Sequence, residues 1–146
     1  MNAKGVIQTI AGSGPGSGLG GAGFSGDGGP AEKAKLFSPG DLEFNVLGHL
    51  YVSDSGNNRI RMIAHNVMIT IAGSGSPGFS GDGGKALQAT LNTPQKIALA
   101  PDGSVYFADR VNHRVRKIDT RGVISTVVGG TRAEGILVDP VVLSQE

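Results

Sequence analysis

A block of seven residues occurs twice, and its spacing constrains this chain more than any other feature. Gly23-Phe24-Ser25-Gly26-Asp27-Gly28-Gly29 returns intact as Gly78-Phe79-Ser80-Gly81-Asp82-Gly83-Gly84, 55 positions on. The same offset carries Leu36 to Leu91, Pro39 to Pro94, Tyr51 to Tyr106, Asp54 to Asp109, Arg59 to Arg114 and Arg61 to Arg116. Over residues 23–63 and 78–118, 18 of 41 positions are identical, which chance cannot supply. A third element recurs three times, at Val6–Gly12, Val67–Gly73 and Val123–Gly129. Repetition of this kind is the mark of stacked units, none of which can bury its apolar face alone.

Each period holds four strand-like runs. In the second copy they are Lys96–Ala100, Val105–Asp109, Val115–Ile118 and Val123–Val128, the last equivalent to Val67–Ala72. They are rich in β-branched and aromatic residues and are separated by turn sequences such as Asp54-Ser55-Gly56-Asn57 and Pro101-Asp102-Gly103. Only Pro30–Leu36 and Lys85–Leu91 read as helix-like, for two turns at most. Four short strands per repeat of this length predict an all-β fold in which each repeat is one blade of a β-propeller. Composition agrees: 25 glycines serve turns, while five Phe, two Tyr and no Trp leave few large core-fillers.

The expected division is a single propeller segment over 1–146. Residues 1–39 hold the outer strand of a preceding blade (Val6–Ala11) and a Gly-rich loop. Residues 40–73 form the first blade, 74–94 an inter-blade loop, and 95–129 the second blade. Residues 130–146 start a further blade at Ile136–Pro140, which resembles Ile97–Pro101.

Charge narrows the function classes. Thirteen basic and twelve acidic residues leave a net charge of +1, which argues against a strong phosphate or anionic-lipid footprint. Scarce aromatic residues argue against base-stacking platforms. Zero cysteines exclude disulfides and thiolate metal sites. The chain as given starts with no apolar run of secretory length and holds no stretch of membrane-spanning length, so it is expected to be soluble, its compartment open.

The runs Tyr51–Ile60 and Tyr106–Val115 resemble the central hairpin of the NHL-repeat family, and the Gly-Phe-Ser-Gly-Asp-Gly-Gly loop resembles a bacterial-type branch of it. The resemblance implies the fold but no single activity, since that family includes lyases, ligand sensors, RNA-binding domains and scaffolds. It also implies a ring of about six blades. Two blades cannot close, and a bare blade face invites association. The expected partner is therefore another copy of this chain, three making six blades, unless the chain is part of a longer propeller.

Candidate residues follow from repetition and parity. A four-residue turn sets Asp54 across from Arg59 and Asp109 across from Arg114, and both are expected to be structural ion pairs recurring because every blade needs them. Asp27 and Asp82 sit among glycines that could offer N–H groups to an anion, but one carboxylate per loop is too few for Ca²⁺. The loop reads better as a connector whose Phe24 and Phe79 plug a gap between blades. His49, His65 and His113 lack metal-ligand spacing, and no catalytic set or cofactor is expected. In a four-stranded meander the inter-blade loops share one end with the second-to-third strand turns. That end carries Asp27, Asp82, Asn57, Asn58, Arg110, Asn112 and His113, the candidate binding face for a protein, glycan or small ligand. The leading expectation is a non-catalytic binding or scaffold module. The alternative is a lyase or lactonase-like enzyme with a channel metal, held by symmetric residues such as Asp54 and Asp109.

Overall fold

A computed structural model describes residues 4–14 and 23–130. Eight strands form two antiparallel meanders. The first sheet runs β1 (Pro39–Phe44), β2 (Leu50–Asp54), β3 (Arg59–Ala64), β4 (Val67–Ala72); the second runs β5 (Pro94–Leu99), β6 (Val105–Asp109), β7 (Arg114–Ile118), β8 (Ile124–Gly129). Each repeat is thus one four-stranded blade, as the sequence predicts. Register is also as expected, with Asp54 opposite Arg59 and Val52 opposite Arg61 in one blade, Asp109 opposite Arg114 and Phe107 opposite Arg116 in the other. The helix-like segments shrink to single 3₁₀ turns, Ala31–Lys33 and Ala86–Gln88, each ended by an alanine in extended conformation.

The connectors do more than join blades. Before each blade the chain drops along the blade's own outer edge. Gly28 donates to Met68 and Met68 to Gly29 on β4, at 2.8 and 3.0 Å; Gly83 donates to Ile124 and Ile124 to Gly84 on β8, at the same distances. An outermost strand otherwise presents unpaired N–H and C=O groups, a template for aggregation. The glycine block covers that edge. The two limbs of each connector touch through small residues: a Cβ on Gly26 would meet the Ala34 Cα at 2.5 Å, and one on Gly81 the Ala89 Cβ at 2.7 Å.

The blades pack face to face, with β1 and β2 against β5. One core joins Ile60 and Ala72 of the first blade, Ala86, Ala89 and Leu91 of the connector, and Ile97, Val105, Phe107, Ile118 and Ile124 of the second. A smaller one joins Ala31, Ala34 and Met68 with Leu36 and Ile63. Each fully buried Leu, Ile or Phe contributes about 1.5–3 kcal/mol of apolar transfer.

Residues 6–10 form no ladder and are exposed, since no described strand lies beside them to pair with. Gly12 and Ser13 still donate to Ala31 and Ala34, as Gly73 and Ser74 donate to Ala86 and Ala89. Ile136–Pro140, where the start of a further blade is expected, lies outside the described residues. Among those described, no helix is long and apolar enough to cross a membrane.

Candidate functional site

The polar centre of each blade is an arginine that sequence parity did not single out. Arg61 is wholly buried, and its guanidinium reaches four acceptors: Asp54 Oδ2 at 3.1 Å, Lys35 O at 3.2 Å, Ser25 O at 3.0 Å and Asp27 Oδ1 at 2.9 Å. Arg116 repeats this with Asp109, Thr90 O, Ser80 O and Asp82. One planar fork therefore ties both limbs of the connector to β2 or β6, which a lysine could not do. Asp54 also accepts from the Phe37 N–H at 2.8 Å and from Asn57 Nδ2 at 2.8 Å, so both its oxygens are satisfied.

This corrects the expected ion pairs. Asp54 meets Arg61 rather than Arg59, and Asp109 meets Arg116 rather than Arg114. The partner sits on the diagonal, two residues beyond the directly opposite one and on the same face, and a long side chain spans that gap easily. Arg59 and Arg114 instead lie over the rings of Phe24 and Phe79, at 3.5 Å from each centroid. The two phenylalanines are accordingly half-exposed stacking plates rather than plugs between blades.

The same network engages most of the expected binding face. Asp27 and Asp82 are held by Arg61 and Arg116 and by the hydroxyls of Thr70 and Thr126. Asn57 and Asn112 donate to Gly23 O and Gly78 O as well as to their aspartates. Asn58 accepts from Thr93 N–H and donates to Gly75 O. Arg110 and His113 stay exposed at that end of the second blade. Asp54 and Asp109 are fully buried inside their own blades, so they do not converge on a channel as the enzyme alternative needs. Among the described residues no three His, Asp or Glu side chains gather where a metal could sit.

Open space lies at the opposite end, beside the short turns. Two adjoining depressions between the blades share Tyr51 and Gly103. One, of about 430 Å³, is lined by Phe44, Val46, Leu47, Leu99 and Pro101, with Glu43 and Asp102 at its rim. The other, of about 440 Å³, is lined by Ile71, Lys85, Leu87, Val105 and Arg121. The β1–β2 turn is unusual in its exposure: Phe44 is 62%, Leu47 74% and Val46 103% exposed. The equivalent turn of the second blade reads Ala100-Pro101-Asp102-Gly103, whose carboxylate caps the Ser104 N–H at 2.8 Å. The first blade thus carries Val46 and Leu47 where the second has Pro101 and Asp102.

Asp41 joins the two inner strands. Its carboxylate accepts from the Ile97 N–H at 2.8 Å and lies 3.4 Å from Lys96 Nζ. The Ile97 N–H is the main reason its pKa falls below 3.8, helped by the Leu42 N–H and Lys96 and opposed by burial. A carboxyl whose folded pKa is depressed stabilises the fold above its unfolded value, and that contribution is lost as pH falls through the lowered one. The urea midpoint is expected to decline as pH drops below about 4, with a smaller acid-induced decline in Asp41→Asn. Identical acid limbs for the two proteins would show that this contact does not matter.

The architecture has known counterparts. The family model for the Teneurin NHL domain matches residues 74–143. Mouse Teneurin-3 is 36% identical over a match covering 58% of this chain and 4% of its own length. Chicken NHL repeat-containing protein 2 is 33% identical over 69% of this chain and 14% of its own length. This chain thus spans a small part of either relative. A solved structure of a structural genomics protein of unknown function from Bacteroides thetaiotaomicron superposes with a TM-score of 0.57 at 24% identity, covering 68% of this chain and 26% of that one. That likeness bears on the fold alone. The narrower bacterial-type branch rests on the glycine loop and on no relative described here. The duplicated meander, the Tyr51–Ile60 and Tyr106–Val115 hairpins and these matches together make this chain a member of the NHL-repeat β-propeller family.

Proposed function

We propose that this segment is a non-catalytic binding module whose contact surface is the short-turn cleft between its two blades. The occupant that suits it is an extended stretch of a partner protein with apolar side chains, its basic groups beside Glu43 and Asp102. One observation carries this reading: Phe44, Val46 and Leu47 all stand exposed at a single hairpin turn beside the cleft. Contiguous exposed apolar surface beside a cleft is the usual mark of a protein-contact site on a folded domain. The end richest in Asp and Asn, by contrast, has those groups engaged in internal hydrogen bonds.

The test is a selection of displayed random peptides against immobilised chain, with the best binder then followed by amide chemical shifts. Perturbations are expected at residues 44–47 and 99–103. Substitution Leu47→Asp should weaken binding about tenfold or more without moving the denaturation midpoint, because the side chain is exposed in the free protein. Shifts centred on residues 110–113, or unchanged affinity in Leu47→Asp, would move the site elsewhere.

A further inference from the structure

The cleft carries opposite charge at its two ends, and we infer that the partner segment it takes is bipolar, with a basic side chain at one end, an acidic one at the other and apolar residues between. This rests on the reading of the cleft as a peptide-contact surface and adds to it the charge order of the occupant. The depression beside Phe44 and Pro101 has two carboxylates at its rim, Glu43 and Asp102, and no basic residue lines it. The depression beside Ile71 and Val105 has two cations, Lys85 and Arg121, against one carboxylate, Asp119. The two meet at Tyr51 and Gly103. An extended chain lying through both therefore passes from negative surroundings to positive ones.

The fold has already used some of these charges. Asp119 accepts the N–H groups of Arg121 and Val123 at 2.9 and 3.0 Å, and the Arg121 guanidinium grips its other oxygen at 2.8 and 3.1 Å. That pair is close to neutral, and the positive end is left to Lys85. Asp102 accepts the Ser104 N–H at 2.8 Å and the Ser104 hydroxyl at 3.0 Å. The N–H is the main reason its pKa lies below 3.8, so it stays ionised at neutral pH. Among the described residues Glu43 has no cationic partner and Lys85 no carboxylate, and both are exposed. Each end also has its apolar wall, since Leu47 is 74% exposed at the negative end and Leu87 54% at the positive one. Opposite charges at the two ends of one apolar cleft select by sign. They repel an occupant of uniform charge and fix the register of a bipolar one, an effect on specificity and association rate more than on tightness.

The experiment displays random peptides of about twelve residues, which reach about 40 Å when extended. They are selected in parallel on the wild-type chain and on the variants Glu43→Lys and Lys85→Glu. Both positions are exposed, so circular dichroism should be unchanged in either variant. The wild-type pool is expected to be enriched in peptides with a basic and an acidic residue on either side of an apolar run. Lys85→Glu should shift its pool towards two basic residues, and Glu43→Lys towards two acidic ones. A peptide from the wild-type pool, followed by fluorescence anisotropy at low salt, should bind each variant about threefold more weakly or worse, the scale of an exposed ion pair. The difference should shrink in 1 M salt, where the screening length is about 3 Å. Pools of the same charge composition on all three proteins would overturn the inference, as would a wild-type pool rich in acidic residues alone, which would make Lys85 and Arg121 a separate anion site. If such peptides still lose affinity for Leu47→Asp, the apolar contact stands without the charge order. No enrichment on any of the proteins would remove both.

Discussion

Arg61→Ala is expected to lower stability by about 3–5 kcal/mol, the cost of leaving a buried charge without its partner. Asp54 is wholly inaccessible, and Arg61 is the cation it meets. Truncation also frees Ser25 O and Lys35 O and releases the connector's Asp27 from β3. Because that connector seals the edge of β4, amide exchange at Gly28 and Met68 should quicken beyond the global change. Arg59→Ala is the control. It stands directly opposite Asp54 but lies over Phe24, so its loss should cost only about 0.5–2 kcal/mol. Urea denaturation with an unchanged slope measures both. Equal losses at positions 59 and 61 would mean that the diagonal pair does not hold the blade. Since domains are stable by only about 5–15 kcal/mol, Arg61→Lys is the variant to carry if the alanine protein does not fold. It keeps the charge but loses the fork, and should fall between the wild-type and alanine values.

Gly73→Ala should be nearly as damaging, at about 3–5 kcal/mol, the sum of left-handed strain and overpacking. Gly73 follows a bulge: Ile60 pairs with Ala72 but Arg61 with Thr70, leaving Ile71 as the extra residue. The bulge folds the end of β4 onto the hairpin tip, so a Cβ on Gly73, at φ 97°, would stand 2.2 Å from Asn58 O. Backbone cannot swing aside as a side-chain tip does. Gly129 repeats the arrangement against His113 O, also at 2.2 Å, and Gly129→Ala should match it. Gly48→Ala separates the two causes. Its φ is 80° with nothing within 4 Å of the added methyl, so only strain of about 1–2 kcal/mol remains. A Gly73→Ala protein no less stable than Gly48→Ala would mean that the close approach relaxes at little cost.

The repeat made the strands legible because period-two patterning and turn residues are local properties. Val67–Ala72 and Val105–Asp109 coincide with β4 and β6, and the opposite pairing of Asp54 with Arg59 followed from the turn length alone. What parity could not convey was how far an arginine reaches. Opposite Cα positions do not say which guanidinium finds the carboxylate when both lie on one face, and the carbonyls that chose Arg61 come from Ser25 and Lys35, some 26 to 36 residues away. A signal was present nonetheless, since Arg61 and Arg116 recur in the repeat as faithfully as Arg59 and Arg114. The side chains of the expected binding face are less available than they looked, for a related reason. Asp and Asn at loop tips look available in sequence, whereas folding brings donors and acceptors that occupy them. Nothing local marked the turn at Phe44–Leu47 as exposed, because whether an apolar side chain is covered depends on residues far away in the chain.

By itself, then, the order of residues determined the number of strands in each blade, their register and their family, all of which depend on contacts between near neighbours. Only the tertiary structure decided which arginine is buried, how the glycine block seals the outer edge, and which apolar surface stays uncovered. Those outcomes depend on segments far apart in the chain arriving at one place, where burial makes an unmet charge costly and an uncovered face open to association.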